Sequence, residues 1–323
     1  MSTPGTGYAD QLFWKKALPW PLDDDDTGYC TVKYCYDNQD TKNGLNSAWN
    51  LAHWIWLKAL GGPASKETNH CLRFKEIEVD QKKHPGATNF CLTNDKRWNK
   101  AVPGDTLRVS HDKHNRVNRA TVGYSKETSA GRNWVVLDTI PWMQASIFVH
   151  EIGYILGMIH EHQRVDRDEY IRFRCDKLAG YDNAHARCMQ EEHCRIDLMC
   201  DNFEMAYSID FIDALQYVRG GNGGSHDADA DLDFESIMIY ASDDWAPNED
   251  CAQDKDLSNC PLAKREPGVE QYSWIDDTVW PSKGDVDFVR IWYQWTPDFG
   301  NAERDAYLGS RENANLTVPT WLY

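Results

Sequence analysis

The chain has 323 residues, 41% of them hydrophobic and 12% aromatic, which is ample material for a core and excludes a wholly disordered chain. A formal charge of -17 speaks against a nucleic-acid partner, because binding a phosphate backbone depends on Lys and Arg neutralising it. No apolar run reaches the length of a membrane span, and residues 1–20 hold no stretch apolar enough for an export signal.

Ten cysteines, at positions 30, 35, 71, 91, 175, 188, 194, 200, 251 and 260, form an even set without a C-x-x-C pair. This points to disulfides in an oxidising, extracellular compartment and away from structural zinc or thioredoxin-like chemistry. Close spacing suggests Cys30 with Cys35, Cys71 with Cys91, Cys251 with Cys260, and two bridges within Cys175, Cys188, Cys194 and Cys200. Asn315-Leu316-Thr317 is a glycosylation sequon of the kind found in secreted chains.

In chain order, the opening to about Thr27 is polar and ends in Asp23 to Asp26, read as a solvated turn. Leu45, Ala48, Trp49, Ala52, Trp56 and Leu60 recur at helical spacing, and Gly61-Gly62 ends the pattern as a C-cap. The tryptophans of this helix and His53 read as core. Strand-like runs follow at 72–79, 106–110, 120–124 and 134–137, separated by polar turns, so the expected architecture is α+β with a mixed sheet. A second helix is predicted from about Pro141 to Leu156, buried through Ile147, Phe148, Ile152, Ile155 and Leu156.

On that helix stands His150-Glu151-Ile152-Gly153-Tyr154, followed by Gly157 and His160. Residues four apart share a helix face, so a His-Glu-x-x-His run presents two imidazoles to one metal ion and leaves its Glu for the attacking water. Here the pattern H-E-x-x-H-x-x-G-x-x-H is complete except that Tyr154 takes the second His position. Beyond it, residues 172–235 are rich in Cys, Asp and Gly and read as an irregular second lobe. Residues 220–224 form a glycine loop. Asp227, Asp229, Asp231 and Asp233 alternate like calcium ligands but lack the Gly and Glu of an EF-hand, with Leu232 and Met238 in those places.

The motif resembles that of the astacin family of metzincin zinc endopeptidases, whose signature continues as Glu161, Arg164, Asp166, Arg167 and Asp168 do here. Ser236-Ile237-Met238-Ile239-Tyr240 is similar to the family's methionine turn, with Ile239 for the usual His. Ser282-Lys283-Gly284-Asp285-Val286, leading to Ile291 and Tyr293, is similar to its closing segment. The resemblance implies a catalytic domain over residues 10–296, with lobes at about 10–160 and 161–296 around a cleft, an extension at 1–9 and a tail at 297–323. It implies a Zn2+ cofactor on His150, Tyr154 and His160, Glu151 as general base and then acid, Tyr240 as the phenol on the carbonyl oxygen, and Met238 as an apolar floor. It further implies protein or peptide substrates paired along an edge strand, assigned here to residues 120–124, and Glu161 as the partner of a freed amino terminus. Asp166, Arg167 and Asp168 read as a structural charge network. Three readings of Tyr154 stand open: a variant that keeps the fold and binds zinc poorly or not at all, a phenolate ligand, or substitution by His162 or another side chain. The first leaves a catalytically inactive protein that binds peptides.

Overall fold

The computed structural model describes residues 18–23, 27–113, 118–127, 129–138, 144–220, 231–266, 268 and 271–295. They fall into two units, residues 18–158 with 279–295 and residues 159–278. The predicted α+β class with a mixed sheet is what the chain forms.

The first unit is built on β1, Cys30–Tyr36, buried at every position except Lys33. A strand covered on both faces suits the middle of a parallel sheet, and β1 pairs in parallel with β2 (Leu72–Glu76) and β3 (Leu107–His111). Outside β3 and in parallel lies β5 (Trp134–Leu137), with β4 (Arg119–Ala120) antiparallel at the edge, giving the order β2-β1-β3-β5-β4. The predicted strand at 120–124 is thus shortened: Thr121 still donates to the Trp134 carbonyl, but Gly123 at φ 64 turns its N–H to the Tyr154 carbonyl.

Parallel neighbours need a crossover, and between β1 and β2 it is α1, Gln39–Ala59. This helix starts six residues before the predicted one because Asn38 caps it, accepting from the Thr41 N–H. Gly61 and Gly62 close it as a Schellman motif, donating to Lys58 and Leu57. Trp49 and Trp56 are fully buried, and the Trp56 indole donates to the Val149 carbonyl of α2, Gln144–Ile155. The predicted start of α2 near Pro141 lies outside the described residues.

The disulfides correct two expectations. Cys30 and Cys35 sit in one strand, where a rise of about 3.3 Å per residue holds them roughly 17 Å apart on opposite faces. Each reaches across instead: Cys30 to Cys71 and Cys35 to Cys91, at Cα separations of 5.1 and 5.3 Å. Non-reducing peptide mapping is expected to recover these two pairs. Replacing either pair with Ala is expected to cost about 4 kcal/mol in denaturant unfolding, from the loop each closes. Asp23, expected in a solvated turn, instead accepts from Thr31 and from Arg73; Asp24 to Asp26 lie outside the described residues.

The second unit is the irregular one expected, with α3 (Arg167–Tyr170), α4 (Tyr181–Cys188), α5 (Phe203–Ser208), α6 (Asp250–Asp254) and several single 3-10 turns. A small antiparallel sheet, β6 (Ile171–Phe173), β7 (Leu262–Arg265) and β8 (Tyr272–Ser273), was not predicted; its strands are too short to carry a pattern. Its core gathers Ile171, Met199, Phe211, Tyr217, Ile239 and Leu262. Cys175–Cys200, Cys188–Cys194 and Cys251–Cys260 staple it, as the spacing suggested. The chain then returns to the first unit as α7, Lys283–Trp292, opened by a capping box between Ser282 and Asp285. Past α7, the Tyr293 hydroxyl donates to the Leu156 carbonyl, just behind α2. Among the described residues no helix is long and apolar enough to cross a membrane.

Candidate active site

Helix α2 buries Phe148, Val149, Ile152 and Ile155 completely. Its other face carries His150 and Tyr154, one turn apart and partly exposed, with ring centroids 5.1 Å apart and planes at 82°. Glu151 points to the buried side, 3% exposed, and its Oε2 makes no hydrogen bond. Burial pushes the Glu151 carboxyl up to about 8, since a carboxylate there loses its hydration without gaining a donor.

The helix ends as α1 does. Gly157 takes φ 100 and donates to Tyr154 while Met158 donates to Gly153, which is the chain reversal the motif predicted. Gly157→Ala is expected to cost about 1–2 kcal/mol in thermal unfolding, since a Cβ is disfavoured at that φ.

In the second unit His160 is 1% exposed, its ring 4.2 Å from that of Tyr240 and 4.7 Å from that of His162. Residues 236–240 form a turn: Ile239 donates to the Ser236 carbonyl and Met238 to the Ser236 hydroxyl. The Met238 carbonyl accepts from Glu161 at 3.0 Å, so this turn is tied to the residue next to His160. Met238 is buried at 1% exposure, and Ile239 packs into the unit's core. The structure therefore brings His150 together with Tyr154 in one unit, and His160 together with Tyr240 in the other.

Glu161 accepts from Arg164 and from the Asp233 N–H, and burial raises its pKa against both. The amino terminus expected to meet it lies outside the described residues. So do Asp227, Asp229 and residues 221–224, whereas the Asp231 carbonyl is taken by Arg164. The charge network read around residue 166 is present: Arg164 holds Asp166, and Asp168 joins Arg167 to Arg219, which also holds Asp201. His162 is 0% exposed, and its Nε2 hydrogen-bonds with the Gln216 carbonyl at 2.9 Å. A ligand role for His162 in place of Tyr154 therefore has to compete with that bond. Sequence reasoning passed over Gln216 and Tyr217, and neither stands in a motif.

Residues 87–212 match the family model described as Astacin, a peptidase family, and that span contains His150 to Asp168. The matched span thus resembles a peptidase family over 126 of the 323 residues. Among solved structures it is similar to high choriolytic enzyme 1, a hatching enzyme zinc-protease from Oryzias latipes (medaka fish), at 16% identity and a TM-score of 0.47, covering 91% of this chain and 98% of that one. It is also similar to myroilysin in two structures, at 10% and 13% identity and TM-scores of 0.41 and 0.40, covering 87% and 90% of this chain and 97% of each of the others. No curated protein sequence matches the chain.

The matched family is zinc-dependent, so the donor side chains within residues 87–212 bear on whether this chain could hold the ion. Among the described residues no group of three His, Cys, Asp or Glu is placed to hold a metal ion. His150 and His160 offer imidazole nitrogens, the commonest metal donors. Tyr154 offers an oxygen that binds a metal only after losing a proton of pKa near 10. The bare Oε2 of Glu151, beside His150 in the chain, is an acceptor that a metal site and its water would satisfy. Within the first unit, the His150 imidazole and the unbonded Glu151 oxygen suit a divalent ion and its water, and the Tyr154 phenol is a weaker donor.

Proposed function

We propose that this chain is an extracellular astacin-type endopeptidase with zinc on His150, Tyr154 and His160, in which the phenol at position 154 weakens metal binding. What a bound zinc ion supplies is Lewis acidity at the scissile carbonyl and a water acidic enough to attack at neutral pH. The charge of a bound zinc ion would bring the Glu151 carboxyl back down, so that it could take a proton from water and pass it to the leaving amine. The Tyr240 phenol donates to the carbonyl oxygen as negative charge develops there. An extended protein or peptide substrate adds along β4, the edge strand, through backbone hydrogen bonds. Five disulfides support an oxidising location.

The observation that carries this reading is Glu151: a buried carboxyl with no donor on one oxygen, one residue from His150, on a helix whose spacing and terminal Gly157 follow the family motif. Tyr154 itself favours a second reading, a peptide-binding protein that has lost hydrolysis. Metal analysis of purified protein with a caseinolysis assay decides between them. About one zinc per chain and chelator-sensitive cleavage support the enzyme. An empty site with retained peptide binding supports the second reading, and loss of both overturns the two together.

A further inference from the structure

The second unit holds an aromatic stack whose centre is not one of the motif's ligands. His162 lies nearly parallel to His160, at 4.7 Å and 28°, and nearly parallel to Tyr240, at 4.4 Å and 29°. One imidazole thus serves both the third histidine of the motif and the phenol assigned to the carbonyl oxygen. Tyr217 backs the group, 5.2 Å from His162 and 5.6 Å from Tyr240, and is itself stacked on Phe173 at 9°.

Hydrogen bonds hold His162 at both its ring and its backbone. Its Nε2 bonds with the Gln216 carbonyl, its own carbonyl accepts from the Arg167 guanidinium, and that guanidinium also donates to the Tyr217 carbonyl. Next to it, the Gln163 side chain donates to the carbonyls of Leu215 and Val218, while its own carbonyl accepts from Gly220. His162 and Arg167 are buried at 0% and 2% exposure, so the seat is a fully enclosed network and not a surface contact. A ring held by a directed hydrogen bond behind two other rings restricts their tilt, and donors aimed at a developing charge act in proportion to how well they are prearranged.

We propose that His162 is a positioning residue: through its stacked ring it sets the orientations of His160 and Tyr240, and through Gln216 it anchors both to residues 215–220. The catalytic meaning of that orientation rests on the peptidase reading, but the seat itself does not. The test is therefore made on the full chain labelled with 3-fluorotyrosine, with the Tyr240 fluorine signal assigned by its loss in Tyr240→Phe. His162→Ala is expected to move that signal toward the free-tyrosine position and to sharpen it. His162→Phe, which keeps a flat ring and gives up the Gln216 bond, is expected to restore most of the shift. Where His162→Ala does not fold, His162→Leu fills the volume without a flat face and is expected to give the same displaced signal.

A Tyr240 signal unmoved in a folded Ala or Leu variant overturns the proposal, and so does a Phe variant displaced as far as Ala. In a Tyr154→His background that cleaves casein, His162→Ala is expected to lower kcat roughly ten- to a hundredfold with KM little changed, the loss typical of a misplaced catalytic group. Absence of cleavage in that background counts against the peptidase reading and leaves the fluorine result standing.

Discussion

Replacing Tyr154 with His is expected to raise zinc affinity about a thousandfold at pH 7. A phenol binds a metal as phenolate, and giving up a proton of pKa near 10 at pH 7 costs about three pH units, or roughly 4 kcal/mol of the binding free energy. A neutral imidazole carries no such cost. The geometry favours the exchange, because Tyr154 stands one helical turn from His150 with its ring against that imidazole, so a histidine there starts from the same face. Tyr154 is partly exposed, and trimming it to a smaller ring opens no sealed cavity, so the melting temperature is expected to stay near that of the parent. Competition against a chelating indicator measures the affinity, and casein cleavage with and without chelator measures the consequence. Equal zinc affinity in parent and variant would sink both the ligand assignment at 154 and the account of its weakness.

How much of this was legible beforehand depends on whether a signal was local. β5 lies where its run of Trp and Val predicted, between polar Asn133 and Asp138. The pairing of His150 with Tyr154 followed from i, i+4 spacing alone. β1 was passed over because it is buried on both faces and therefore shows no alternation to read. The same strand misled the cysteine pairing, since closeness in sequence becomes separation once the chain is extended. β4 stops early because Gly123 answers to α2 and not to the ladder. His162 reads in sequence as a spare ligand; its neighbours Gln216, Tyr217 and Tyr240 come from more than fifty residues away, and no pattern around position 162 announces them.

His53 supplies the larger stability effect, and its sign is fixed by burial. It lies in α1 at 8% exposure, stacked on Phe74 at 4.2 Å and edged by Trp49 and Tyr34, with Nε2 lacking any hydrogen bond. Desolvation brings its pKa from 6.5 down to about 3. The unfolded chain therefore takes up a proton below pH 6.5 that the folded chain refuses until about pH 3. Stability linked to His53 is fully present above pH 6.5 and is lost as pH falls, by about 1.4 kcal/mol per unit and roughly 4–5 kcal/mol in all. His70, lowered mainly by burial, adds to the loss. Glu151 and Asp244, raised by burial to about 8 and about 7, work in the opposite direction over much of the same range, because the folded chain holds their protons first. The total pH profile of the parent thus mixes both signs, and only a difference isolates His53. In His53→Phe, urea unfolding followed by tryptophan fluorescence is expected to show stability equal to or slightly above the parent at about pH 7, since an orphaned nitrogen is removed from an aromatic box. Below pH 6.5 the variant's advantage is expected to widen by about 1.4 kcal/mol per unit as far as unfolding stays reversible. Parallel curves at every pH would mean that His53 is protonated in the folded core or reaches water there.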